Sequence, residues 1–184
     1  GVVLSGARTF EGGTITFASN TTGDDNLTIT GNLDVDAAIS GIVVLGVSGT
    51  SNLGANVSST GTQTYTGAVT LSAAVTLTTT SDVITFSNTV NSADSTNRNL
   101  TLTTGSSSTE INFDGIVGGS NSVGAIAITG VLDLNAAITA ATSVSVSGTS
   151  NIGADVTTTS TQLYVGNLVL SAADRTLEGS TMGN

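Results

Sequence analysis

Two places in this chain gather enough side-chain oxygens to do chemistry. One is Asp34 and Asp36 in the phrase LDVDAA; the other is the run Asp24, Asp25, Asn26. On an extended strand residues i and i+2 face the same way, so the Asp34 and Asp36 carboxylates are expected to meet. Paired carboxylates suit acid–base cleavage of a glycosidic bond, and clustered oxygens suit a hard cation such as calcium. Asp24, Asp25, Asp34 and Asp36 are therefore the candidate calcium ligands. The surroundings weigh against both chemistries. Aromatic residues, which would line a sugar groove, make up 3% of the chain. Neither an EF-hand loop nor a Gly-Gly-x-Gly-x-Asp run is present, and isolated Asp residues next to Asn and Gly commonly serve Asx turns.

Nucleophilic catalysis is no better supplied. There is no His, Cys or Lys, and the basic residues are Arg8, Arg98 and Arg175, so a Ser hydroxyl finds no ordinary activating base. A non-enzymatic protein with no cofactor is expected. The net charge of −10 disfavours nucleic acid, whose binding rests on clustered Lys and Arg, and disfavours anionic lipid surfaces likewise. The longest near-continuous apolar run, GIVVLGV at 41–47, is too short for a spanning helix.

What must position any site is a β framework. Short alternating runs recur from TITF (14–17) and LTIT (27–30) through VITF (83–86), LTLT (100–103) and IAIT (126–129) to LVL (168–170). Each is rich in β-branched residues, with period-two patterning that marks a strand with one buried face. Between them lie Gly, Asn, Ser and Asp clusters with turn chemistry. The chain contains no Pro, and charged residues are 9%. Hydrophobic residues at 38%, set in alternation with Thr and Ser, are enough to escape the disorder that polar low-complexity chains usually show.

The pattern also repeats. Residues 31–74 align with 130–173 without a gap, with 24 identities in 44 positions. VSGTSNLGANV at 47–57 returns as VSGTSNIGADV at 146–156, an offset of 99. Self-similarity on this scale, short strands and few large rings predict an all-β fold, a parallel β-helix, rather than tandem sandwiches. The spacing predicts rungs of ~20–27 residues, seven to nine of them, stacked at ~4.8 Å into a rod of ~35–45 Å. The repeated phrase reads as a turn recurring after a whole number of rungs, with Gly46, Gly49, Gly54, Gly148 and Gly153 in positive-φ corners.

The phrases TGTQTYTGAVTLSAAVTL, VITFSNTV and NLTLTTG resemble the β-strand repeats of filamentous-haemagglutinin-like exoproteins and autotransporter-type bacterial adhesins. The likeness covers roughly residues 60–180 and lies in repeat style. It implies a right-handed parallel β-helix, exported to the cell surface or beyond, that serves as an adhesive or spacing stalk. The whole of 1–184 is then expected to be one solenoid segment, either an internal slice of a longer chain or a subunit stacking end to end. Its partners would be neighbouring repeats, identical subunits or surface glycans. Thr-x-Thr pairs at 14/16, 28/30, 64/66, 76/78 and 101/103 raise an ice-binding alternative. Four N-x-[ST] sequons, at Asn20, Asn26, Asn56 and Asn99, mark candidate glycan acceptors.

Overall fold

The structure, a computed structural model, describes residues 1–106 and 108–183. Among them there is no helix, and every strand pairing is parallel. The all-β parallel solenoid expected from the sequence is what forms, with about ten turns.

Tracing the registers resolves three ladders that run the length of the rod. The first face starts at Val2–Leu4, continues through Thr21–Gly23 and Ile39–Ile42, and ends at Thr181–Gly183. The second runs from Arg8 through Leu27, Leu45, Gln63, Ile84, Ile111, Leu132 and Ser150 to Leu168. The third begins at Thr14–Phe17 and passes through Ser51, Val69 and Val90 to Ile138 and Val156. Three long strands, Arg8–Phe17, Leu27–Val35 and Ile138–Val146, turn a corner and belong to two faces each.

The unit that builds these faces is six residues long. Leu27, Leu33, Ile39, Leu45, Ser51, Val57, Gln63, Val69 and Val75 are all buried. Two residues after most of them a second inward position follows: Ile29, Val35, Val47, Leu53, Ser59, Tyr65, Leu71 and Leu77. A face is thus inward–outward–inward, with three corner residues before the next. Three such units close a rung of 18 residues, as the consecutive partners Leu27, Leu45 and Gln63 show. Outside the central rungs, which take 21 to 27 residues, the rungs are therefore shorter than the sequence spacing suggested. The strongest irregularity is central, where the step from Ile84 to Ile111 takes 27 residues. Extra residues there form corner loops, 93–99 among them.

The repeat does not return to the same place on the rod. Leu33 stacks with Ser51 and Val69 on the third face. Its counterpart Leu132 stacks with Ser150 and Leu168 on the second. Tyr65 likewise lies on the second face and Tyr164 on the first. The offset of 99 residues is four turns plus two faces, so the copies are rotated by one face instead of superposed. Nor is the repeated phrase a turn. Ser51–Leu53 and Ser150–Ile152 at its centre are strands, and the neighbouring strands begin at Val57 and Val156.

The glycines in that phrase also act differently from expectation, since none of Gly46, Gly49, Gly54, Gly148 and Gly153 has a positive φ. Close approach is what excludes a side chain. A Cβ on Gly49 would collide with the Gly31 carbonyl, and one on Gly67 would collide with that of Gly49. The glycines form a column down one corner in which each backbone rests on the one before. Gly46 is different, with nothing within 4 Å of a Cβ. Its ladder partners are Thr28 and Thr64.

A contrast between these positions tests the packing. Gly49→Ala is expected to destabilise by more than about 1 kcal/mol, because backbone must move. Gly46→Thr is expected to be neutral or stabilising by up to about 1 kcal/mol, since Gly weakens a strand interior. Urea unfolding midpoints measure both, and equal losses at the two positions would contradict the close-approach account.

Candidate functional site

The four acidic candidates do not assemble into a site. Asp34 sits in the strand Leu27–Val35, half-buried, with its carboxylate already engaged. Asn52 Nδ2 donates to its Oδ1 at 2.8 Å, and Thr16 Oγ1 donates to its Oδ2 at 3.3 Å. Asp36 lies just past the end of that strand, exposed, with its backbone N–H donating to the Phe17 carbonyl. The strand ends before the i, i+2 geometry can pair the two. Asp25 accepts a hydrogen bond from the backbone N–H of Asn26 at 2.9 Å, an Asx-type contact, and Asp24 is exposed in the same turn. Among the described residues no three acidic side chains converge as a metal would require.

The polar groups on the outer faces instead bond from rung to rung. The Asn52–Asp34 contact is repeated by Asn151 Nδ2 donating to Asp133 Oδ1, also at 2.8 Å. Asn135 Nδ2 adds a bond to Asp114 of the neighbouring rung and one to Asp133 within its own. At the corners, Asn side chains accept backbone N–H groups of the next rung: Asn32 from Thr50, Asn56 from Thr76, Asn91 from Ser120, Asn99 from Ala125. The 93–99 loop is pinned by Arg98, which pairs with Asp94 at 3.2 Å and donates to the Ser72 carbonyl. Hydrogen bonds from Thr96, and secondarily Arg98, hold the Asp94 carboxyl below its usual range. The Thr-x-Thr pairs fall on all three faces, and only Thr76/Thr78 and Thr101/Thr103 stack directly.

The most specific polar constellation is inside the core, and the composition-led reading passed over it. Gln63 is fully buried. Its Nε2 donates to the Thr78 carbonyl (2.9 Å) and Ser59 Oγ (3.1 Å), while its Oε1 accepts from the Tyr65 hydroxyl at 2.9 Å. The same arrangement recurs 99 residues later: Gln162 Nε2 reaches the Glu178 carbonyl (2.7 Å) and Thr158 Oγ1 (3.3 Å), and Tyr164 donates to Gln162 Oε1 at 3.0 Å. The signal was legible, since Ser/Thr-x-x-x-Gln-x-Tyr is kept at 59/63/65 and 158/162/164 while flanking residues change. Each buried polar atom finds a partner, which is what a low-dielectric interior requires. Burial shields the phenols from any substrate, so the cluster is architectural.

Above Tyr65 the rings of Phe86 and Phe113 stack in register, with centroids 5.4 and then 5.0 Å apart and nearly parallel planes. Phe17 lies on another face and meets Phe10 edge-on. A shallow, open depression lies at one end, bordered by Val3, Ser5, Thr22 and Asp24. No protein family, curated protein or solved structure matches this chain. The functional reading therefore rests on geometry and residue chemistry.

The two buried phenols make stability depend on alkaline pH. Burial pushes the Tyr164 phenol up to about 12 and the Tyr65 phenol further still. Both are raised above the unfolded value of about 10, so their contribution is full below pH ~10 and is lost as pH rises toward the folded values. With no Lys, His or Cys in the chain, no other side-chain type ordinarily titrates in this window. The unfolding free energy is expected to fall above pH ~10 by up to about 2.7 kcal/mol per pH unit. The double variant Tyr65→Phe/Tyr164→Phe should start less stable, by about 1–3 kcal/mol per site, and lose that slope. An unchanged slope in the variant, followed by denaturant titration, would contradict the assignment.

Proposed function

We propose that this chain is a rigid structural segment of a secreted or cell-surface bacterial fibre or adhesin, acting as a stalk and as a surface for contacts. The observation that carries the reading is the continuity of the three ladders from Val2 to Gly183, with parallel backbone pairing along a single axis. Side-chain chemistry supports it. The Asn–Asp contacts, the corner carboxamides and the aromatic stack all join one rung to the next, which stiffens the rod against bending and shear. An acidic, Thr- and Ser-rich exterior keeps such a rod hydrated and self-repelling. Surface glycans are the partner class that a polar exterior of this kind suits best.

A second reading is favoured by the terminal rungs, which expose Val2 and Val3 at one end and Val169, Leu170 and Met182 at the other. Unpaired strand edges with apolar side chains are templates for further pairing. The same edges can be continued by more rungs of one chain or by another copy stacking end to end, and sedimentation of the 184-residue chain separates the two.

The stalk reading is tested by distance. The chain has no Cys, so Ser5→Cys and Ser171→Cys, both at exposed positions, place spin labels uniquely near the two ends. A narrow distribution centred on the order of 40 Å is expected from about eight rung spacings. A broad distribution, or hydrolysis of a polysaccharide by the unlabelled protein, would remove the spacer reading.

A further inference from the structure

The four N-x-[ST] sequons occupy two different structural situations, and the difference assigns a modification site. Asn56 and Asn99 have their carboxamides built into the rod: each Oδ1 accepts a backbone N–H of the next rung, from Thr76 at 2.8 Å and Ala125 at 2.9 Å. The internal repeat shows what position 56 is retained for. Its counterpart is Asp155, which cannot be a sequon, yet Asp155 Oδ1 accepts the Thr176 N–H at 3.0 Å. The acceptor oxygen is kept and the amide nitrogen is dispensable.

Asn20 and Asn26 are the opposite case. Both are exposed, and among the described residues neither makes a side-chain hydrogen bond. They stand at successive corners of one rung, directly before the strands Thr21–Gly23 and Leu27–Val35. The hydroxyl residues that complete their sequons, Thr22 and Thr28, are exposed on outward strand positions. An amide nitrogen becomes nucleophilic only when the carboxamide is free to twist out of conjugation, and a carboxamide clamped between rungs is not free to do so.

We propose that Asn20 and Asn26 are the N-glycan acceptor sites of the folded chain, and that Asn56 and Asn99 are structural residues that only resemble acceptors. In the transfer, the Asn Nδ2 forms a bond to the anomeric carbon of a nucleotide-diphosphate sugar. The bond from that carbon to the diphosphate oxygen breaks, the nucleoside diphosphate leaves, and Nδ2 gives up one proton.

The test treats the folded 184-residue chain with a soluble N-x-[ST]-directed glycosyltransferase and its nucleotide sugar, followed by peptide mapping. Sugar on Asn20, Asn26 or both, with Asn56 and Asn99 bare, is the expected result. Sugar on Asn56 or Asn99, or none on either of the first two, overturns the proposal. Thr22→Ala and Thr28→Ala should each abolish the sugar at the corresponding Asn without altering the circular dichroism spectrum, and sugar that persists counts against it. For the structural arm, Asn56→Ala should lower the urea midpoint and Asn56→Asp should restore it. Equal loss in both variants would contradict the role assigned to the oxygen.

Discussion

The parallel backbone ladder between rungs is the constraint on which the rest of this structure depends. An amide in such a strand has no partner within its own rung, so it is satisfied only by the rung above or below. Once the ladder is fixed, each inward side chain sits about 4.8 Å from its equivalents, and like residues can stack on like. Tyr65, Phe86 and Phe113 do so with rings, while Leu100, Leu102, Ile126 and Ile128 do so with aliphatic chains. The corner column of Gly31, Gly49 and Gly67 follows from the same spacing, because a carbonyl of one rung occupies the space a Cβ of the next would need.

A narrow core also explains where polarity is allowed. Gln63 and Gln162 enter the interior only with a tyrosine hydroxyl on one side and hydroxyl and carbonyl acceptors on the other. Among the described residues, the hydroxyls of Ser51 and Ser150 and the Oδ1 of Asn112 are buried without a partner, and the two serines are the inward-facing cases. They recur at equivalent repeat positions, where a small residue alternates with Leu33 and Val69 in one ladder and with Leu132 and Leu168 in another. An unsatisfied buried hydroxyl costs about 1–3 kcal/mol.

Much of the architecture was legible in the sequence. Period-two runs such as LTIT, VITF and LTLT are strands, and Gly/Asn clusters separate them. What stayed hidden was the six-residue unit, because several of its inward positions are not hydrophobic: Ser51, Ser59, Gln63 and Thr79 interrupt the apolar pattern while being buried. The polar Ser51 made VSGTSNLGANV look like a turn, and the true rung length could not be counted across it. The longer repeat misled for a related reason. Each face obeys the same six-residue rule, so a duplicated segment can dock on a different face. The Asp24, Asp25, Asp34 and Asp36 candidates were visible as residue types only. That Asp34 is held by Asn52 depends on a contact 18 residues away, which no local spacing reveals.

A rod whose backbone pairing runs lengthwise from rung to rung is suited to transmitting position, and the proposed stalk role draws on that alone. The most direct test of this account is amide-to-α-proton connectivity in solution by nuclear magnetic resonance. The account predicts parallel, in-register contacts between residues one rung apart, linking Leu27 to Leu45 and Leu45 to Gln63. Antiparallel contacts between sequence-adjacent strands, as in hairpins, would contradict it.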